Sequence, residues 1–113
     1  MEYKIYLRTH RKAWALSQQQ IADLVGIRAR SVISSYERGV NSPSFRTALA
    51  YQFVFGVPLT KMFPDLAGEI EEDVMRRALQ IDEAHRNRTD ATAVRAREFL
   101  QQLLGRASCR PRV

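Results

Sequence analysis

Two short helical patterns separated by a single glycine constrain the fold of this chain more than any other feature. The stretch runs from Ser17 to Gly39 and reads SQQQIADLVGIRARSVISSYERG. Ser17 can cap the helix that follows it, because its hydroxyl can accept hydrogen bonds from the free backbone amides of the first turn. Gly26 can end that helix, because glycine adopts a left-handed backbone conformation more easily than other residues. One apolar face follows in each helix: Ile21, Ala22, Leu24 and Val25, then Val32, Ile33 and Tyr36. The spacing predicts two short helices that meet across a tight turn.

The flanking segments also have helical spacing, and none alternates polar and apolar residues as a strand would. A first helix is predicted from about Tyr3 to Trp14. A fourth is predicted from Phe45 to Phe55, with Ser42 or Ser44 as its cap and Gly56 after it. Because this fourth helix is apolar nearly all round, we expect it to be covered on more than one side.

The composition changes after Asp65, and two further helices are predicted beyond this point. Before Asp65, the segment PLTKMF is predicted to form a short turn. Three of its apolar side chains should fold back onto the core as hydrophobic plugs: Leu59, Met62 and Phe63. The sixth helix begins near Ala67, and the seventh is capped by Thr89 or Asp90 and ends before Gly105. The chain is therefore predicted to be all-α. A helical domain at residues 1–65 precedes a two-helix extension for dimerization or packing at 66–105 and a disordered basic tail at 106–113.

The positive charge of the chain is concentrated in its first part. The net charge is +6 over 113 residues. Up to Asp65 there are nine basic and four acidic residues, an excess of +5, whereas the remainder has nine basic and eight acidic residues, an excess of +1. This distribution favours a module that faces a polyanion, joined to a nearly neutral one.

Several classes of function have no support in the sequence. Cys109 is the single cysteine, so disulfides are not expected, and it is read as a passive thiol. No segment has the length of an apolar membrane span, and the N-terminal residues lack a signal-peptide core, so a cytoplasmic location is expected. No nucleophile pair, phosphate loop, metal-ligand cluster or cofactor motif is recognisable. We expect no catalytic activity, no metal and no cofactor.

The third helix has the residue types that a DNA-reading helix needs. Small side chains permit close approach in the major groove, and Arg30 can form a bidentate contact to guanine. Gln18 can reach a phosphate at the start of the preceding helix. The predicted DNA-binding residues are Gln18, Gln19, Arg28, Ala29, Arg30, Ser31, Ser34, Ser35, Arg38, Asn41 and Ser44.

The segment from Leu7 to Phe63 resembles the Xre or Cro/repressor type of helix-turn-helix domain. The resemblance rests on LSQQQIA, the glycine in the turn, SVISSYERG, NSPS and FGVPLTKMF, in this order. It implies five helices, the third in the major groove, and commonly a dimer on a palindromic site. It also implies a phosphate contact from Gln18, base-facing positions at Arg30, Ser31 and Ser35, and a pair between Arg11 and Glu37.

This chain departs from the family pattern at three places. It has one residue more than usual between Gly26 and Gly39, which leaves Arg28 and Ala29 open between turn and helix. His10 stands where an aliphatic core residue is usual, and we expect it to pack at the core edge. Phe53 stands where an exposed polar residue is usual.

The sequence therefore predicts a DNA-binding transcriptional regulator that acts as a homodimer and represses by occupying a promoter. The alternative is an interaction module, such as an antitoxin whose C-terminal helices bind a partner protein. RNA binding ranks third because no aromatic stacking platform is visible.

Overall fold

A computed structural model describes the backbone of residues 3–109 and the side chains of residues 3–106. The described part is all-helical, as predicted, and contains seven helices in the order α1 (Leu7–Ala13), α2 (Gln18–Val25), α3 (Arg30–Glu37), α4 (Phe45–Phe55), α5 (Leu59–Met62), α6 (Pro64–Ala84) and α7 (Ala91–Cys109). The chain divides after Ala67 into two compact units. The first contains α1 to α5, and the second contains most of α6 and all of α7.

One apolar core holds the first unit together. Its buried members are Leu7, Ile21, Ala22, Ile33, Tyr36, Tyr51 and Met62. Each of α1 to α5 contributes at least one of them, so the five helices share a single core. Leu59 and Phe63 pack against this core beside Met62, which confirms the three predicted plugs.

Helix boundaries follow the capping signals where those signals are local. Ser17 caps α2 in a capping box, since its Oγ accepts from the Gln20 amide at 3.0 Å and its own amide donates to Gln20 Oε1 at 2.8 Å. Gly26 follows α2 with a φ of 83°, a conformation that strains any residue with a Cβ. Ser44 caps α4 through the Thr47 amide, which decides between the two predicted caps. These local predictions are confirmed.

Three boundaries differ from the sequence prediction. α1 begins at Leu7 rather than Tyr3, because the Tyr6 amide donates to the Met62 carbonyl instead of continuing a helix. α6 begins at Pro64, since proline needs no intrahelical donor in a first turn. α7 continues past Gly105 to Cys109, where the sequence prediction began a disordered tail. The rest of that predicted tail lies outside the described residues.

The expectation that α4 is covered on more than one side is wrong. Only Thr47 and Tyr51 are buried in this helix, whereas Phe45 is 78% exposed and Phe53 is 90% exposed. Phe45, Leu49 and Phe53 follow at intervals of four residues and form one outward row, here called the α4 stripe. A high apolar content therefore did not identify the buried face.

Candidate nucleic-acid interface

A buried ion pair fixes α1 against α3. Arg11 donates from Nε to Glu37 Oε2 at 2.6 Å and from Nη2 to Glu37 Oε1 at 3.0 Å. The two side chains are only 11% and 4% exposed. Arg11 also donates to the Leu16 carbonyl at 3.0 Å, and its hydrogen bond to Glu37 raises its pKa above the ordinary value. The pair that the family resemblance implied is present in the structure.

Gln18 joins this ion pair at the start of α2. Its Nε2 donates to Glu37 Oε1 at 3.2 Å, so the same carboxylate holds both Arg11 and Gln18. The side chain is thereby oriented at the end of α2 where unpaired amides favour a phosphate. The bond joins residues nineteen positions apart on different helices. No local sequence pattern marks it, and the sequence prediction missed it.

The turn between α2 and α3 settles the place of the extra residue. Ile27 donates its amide to the Ala22 carbonyl at 2.8 Å and is partly buried against the core. Arg28 lies exposed in the turn, and Ala29 is the extended N-cap residue of α3 with φ −108° and ψ 125°. The first residue of α3 is therefore Arg30.

The outer face of α3 combines two arginines and two small hydroxyls. Ile33 and Tyr36 are buried on the inner side of the helix. The α3 outer face is defined here as Arg30, Ser31 and Ser34 together with Arg38, the residue that follows the helix. The two arginines and Ser31 are exposed, and Ser34 is half-buried and accepts from Arg38 Nε at 3.3 Å.

Ser35 does not belong to this face, which corrects its prediction as a DNA-binding residue. It is 6% exposed, and its hydroxyl donates to the Val32 carbonyl at 2.6 Å. The same hydroxyl accepts from Asn41 Nδ2 at 3.2 Å. Ser35 therefore joins the end of α3 to the following loop instead of facing solvent.

The remaining predicted residues lie around the α3 outer face in different settings. Asn41 is exposed, but one amide proton is held by Ser35. The Ser44 hydroxyl accepts from the Thr47 amide and donates to Thr47 Oγ1, so its capping role occupies it. Gln19 is exposed on α2 and donates to Asp23 Oδ1 at 3.0 Å. These three stay predictions as DNA contacts.

The setting of His10 and the grouping of potential metal ligands bear on two further predictions from the sequence. His10 is half-buried, and its ring centroid lies 5.7 Å from that of Phe55, so it packs at the core edge as expected. Within the described residues, no group of His, Cys, Asp and Glu side chains could hold a metal ion. None of the helices in this part of the chain is long and apolar enough to cross a membrane.

Comparison with protein families agrees with this geometry. Residues 7–62 match the family described as helix-turn-helix. Among curated proteins and among solved structures, nothing matches the chain. Residues 7–62 thus form a helix-turn-helix domain of the Xre/Cro type, a family of DNA-binding regulators and not of enzymes. The match supports a DNA-binding transcription regulator of the Xre type.

Proposed function

We propose that this protein is a sequence-specific repressor that binds duplex DNA as a homodimer, with α3 in the major groove. The α3 outer face is the observation that carries the proposal. It offers Arg30 for a bidentate contact to guanine and the small Ser31 and Ser34 for close approach of the helix. Among the described residues, neither Arg28 nor Arg30 makes an ion pair, so both guanidinium groups are available to DNA.

Backbone contacts would come from the residues around this face. Gln18, oriented by Glu37, and the exposed Arg28 and Arg38 lie at the ends of α2 and α3. Contacts of this kind fix the register of a protein on the duplex without reading bases. Repression then follows from occupancy, because a protein bound across a promoter excludes polymerase.

Selection of random duplex DNA by the full-length protein tests the proposal. At physiological salt, we expect enrichment of a motif with two-fold symmetry, since a homodimer presents two α3 helices to two half-sites. If DNA is retained without any enriched motif and is released as salt rises, the basic half attracts DNA only non-specifically. That result would contradict the proposed sequence-specific function.

The α4 stripe favours a second candidate, a module that binds a partner protein, as an antitoxin does. Contiguous exposed apolar side chains are a usual mark of an interface, and Phe53 at 90% exposure has the largest exposed fraction in the stripe. The full-length protein would be used as bait beside its Phe53→Lys variant. A small protein captured by the first and lost from the second supports this candidate. Equal capture by both contradicts it.

A further inference from the structure

The two C-terminal helices form a hairpin that leaves much of its apolar surface uncovered. α6 and α7 are joined by residues 85–90, and Arg97 Nε donates to Asp82 Oδ1 at 2.9 Å across the hairpin. Within their described part, the buried apolar residues are Ala78, Ala93 and Leu100. Two of these are alanines, so the seam between the helices removes little surface from water. A unit of this size needs additional burial to be stable.

Most of the exposed apolar residues lie on one side of the hairpin. On a helix, the residues at positions +3, −1 and −4 relative to a buried residue all lie to the same side of that buried residue. Ile81 and Val74 have this relation to Ala78, and Phe99 and Leu103 have it to Leu100. In two antiparallel helices that face each other, equal offsets fall on the same side of the pair. We call this surface the hairpin flank; it consists of Ile70, Val74, Ile81, Phe99 and Leu103.

The opposite side of the hairpin has a different composition. It carries the Asp82–Arg97 pair, and Arg97 also donates to the Arg86 carbonyl at 3.4 Å. Two exposed apolar residues also lie on this side, Leu79 at 52% and Val94 at 46%. An interface on this side of the hairpin would have to desolvate the Asp82–Arg97 pair. This desolvation costs free energy unless the geometry of the pair is retained. Among the described residues, none of the ion pairs of the second unit lies on the hairpin flank, which makes it the better surface for burial.

We propose that the hairpin flank binds the hairpin flank of a second copy of this chain, so that the four helices form one bundle. This proposal rests on the proposed homodimer and names its interface. The charges favour a second copy as the occupant. The chain from residue 66 onward has a net charge of only +1, whereas the part up to Asp65 has +5 and would repel its own kind. Dimerization through the flank therefore leaves the basic half to DNA.

The area of the flank is compatible with this occupant. Ile70, Val74, Ile81 and Phe99 are between 39% and 58% exposed. They present on the order of 400 Å² of apolar surface, which is in the range of the largest, often functional patches on monomers. Two copies would bury on the order of 800 Å² from these side chains, and polar rim residues would bring the total near the roughly 1,200 Å² of small stable interfaces.

Sedimentation equilibrium of the full-length protein at micromolar concentration tests this interface. Wild type is expected at twice the chain mass of 13.0 kDa. Phe99→Glu and Ile81→Glu should raise the dimer Kd by about tenfold or more, because each buries an unpaired carboxylate in the interface. Leu79→Glu is the matched control, with similar exposure on the opposite side, and should stay dimeric. Circular dichroism should show unchanged helix content in each variant. If a buried charge prevents folding, Phe99→Ala is used instead and should raise the dimer Kd by a smaller factor.

Four results would overturn the inference: a monomeric wild type, flank variants with unchanged dimer Kd, equal dissociation by Leu79→Glu, or dissociation by Phe53→Glu alone. The last would assign the interface to the α4 stripe. Binding of each variant to a duplex with one selected half-site separates this inference from the proposed function. Dimeric flank variants that still bind the half-site remove only the inference, whereas a wild type that selects no motif removes the proposed function.

Discussion

The two units of this protein differ in how many of their arginines form ion pairs. In the second unit, Arg76, Arg88, Arg95 and Arg97 each pair with a carboxylate within fifteen residues along the chain. In the described part of the first unit, Arg11 alone makes an ion pair, and that pair is buried. Arg28, Arg30 and Arg38 stay exposed around α3. With equal numbers of basic residues, the first part of the chain thus has a net charge of +5 and the remainder only +1.

The buried and exposed pairs should differ most in their effect on stability. Glu37→Ala leaves Arg11 buried without its carboxylate and frees the side chain of Gln18. We expect a loss of about 3 to 5 kcal/mol in the free energy of unfolding, measured with chemical denaturant. Asp73→Ala removes an exposed partner of Arg76 and should cost less than about 1 kcal/mol. Similar losses for both would contradict the contrast.

DNA affinity should depend on the arginines of the first unit only. Arg30→Ala should weaken binding to the selected duplex by about 1 to 3 kcal/mol, because a bidentate contact to one base is lost. Gln18→Ala should weaken binding to all sequences alike, as expected of a phosphate contact. Arg76→Ala is the control and should leave affinity unchanged in fluorescence anisotropy. A loss in the control as large as that in Arg30→Ala would place DNA on the hairpin as well.

The core of the first unit contains a buried hydroxyl without a partner. Tyr51 is 1% exposed, and its hydroxyl makes no hydrogen bond within the described residues. Burial raises the pKa of this hydroxyl, and the nearby Glu37 carboxylate raises it further. Tyr51→Phe should therefore increase the free energy of unfolding by about 1 kcal/mol at neutral pH, whereas the exposed Tyr6→Phe should change it little. A destabilised Tyr51→Phe would mean that the hydroxyl is satisfied.

The raised pKa also predicts how stability changes in alkali. The unfolded chain releases the Tyr51 proton at a lower pH than the folded chain. Folding stability is therefore independent of this titration below about pH 10, the ordinary value for tyrosine, and falls as pH rises above it. Denaturant titrations of wild type and Tyr51→Phe from neutral pH to alkali measure this, and the wild type should show the steeper loss. Parallel curves would contradict it.

The smallest effect is expected from the pair that spans the hairpin. The hydrogen bond from Arg97 holds the pKa of Asp82 below its ordinary value. Because the folded value is the lower one, the contribution to stability is present above the unfolded pKa and is lost as pH falls through the folded pKa. NMR titration of the Asp82 carboxyl should show the depressed value in wild type and a return toward the ordinary range in Arg97→Ala. An unshifted carboxyl in wild type would show that the pair is not formed in solution.

The sequence predicted those parts of the fold that depend on neighbouring residues. Ser17, Gly26 and Ser44 act through hydrogen bonds and backbone angles within four positions, so the residue types alone indicate them. Ser35 could not be placed in this way. Its burial depends on the loop that brings Asn41 back to α3, and a helical pattern does not contain that return.

The exposed face of α4 and the flank of the hairpin escaped prediction for a related reason. Apolar content indicates that a helix can be buried, but the number of partners that reach each side decides how much of it is. Phe53 is of a residue type that is usually buried in a core, yet its side chain is exposed like that of a surface residue. The spacing of apolar residues in α6 and α7 predicted the two helices. It did not predict which of these apolar residues remain exposed when the helices contact each other along only one side.

We infer that α3 reads bases through Arg30, and a repeat of the duplex selection with the Arg30→Ala variant tests this claim. We expect the two-fold motif to persist but to lose its preference at one base pair in each half-site, because the other contacts stay in place. A variant that selects the wild-type motif with undiminished preference at every position would contradict the claim, and α3 would then not read DNA through this residue.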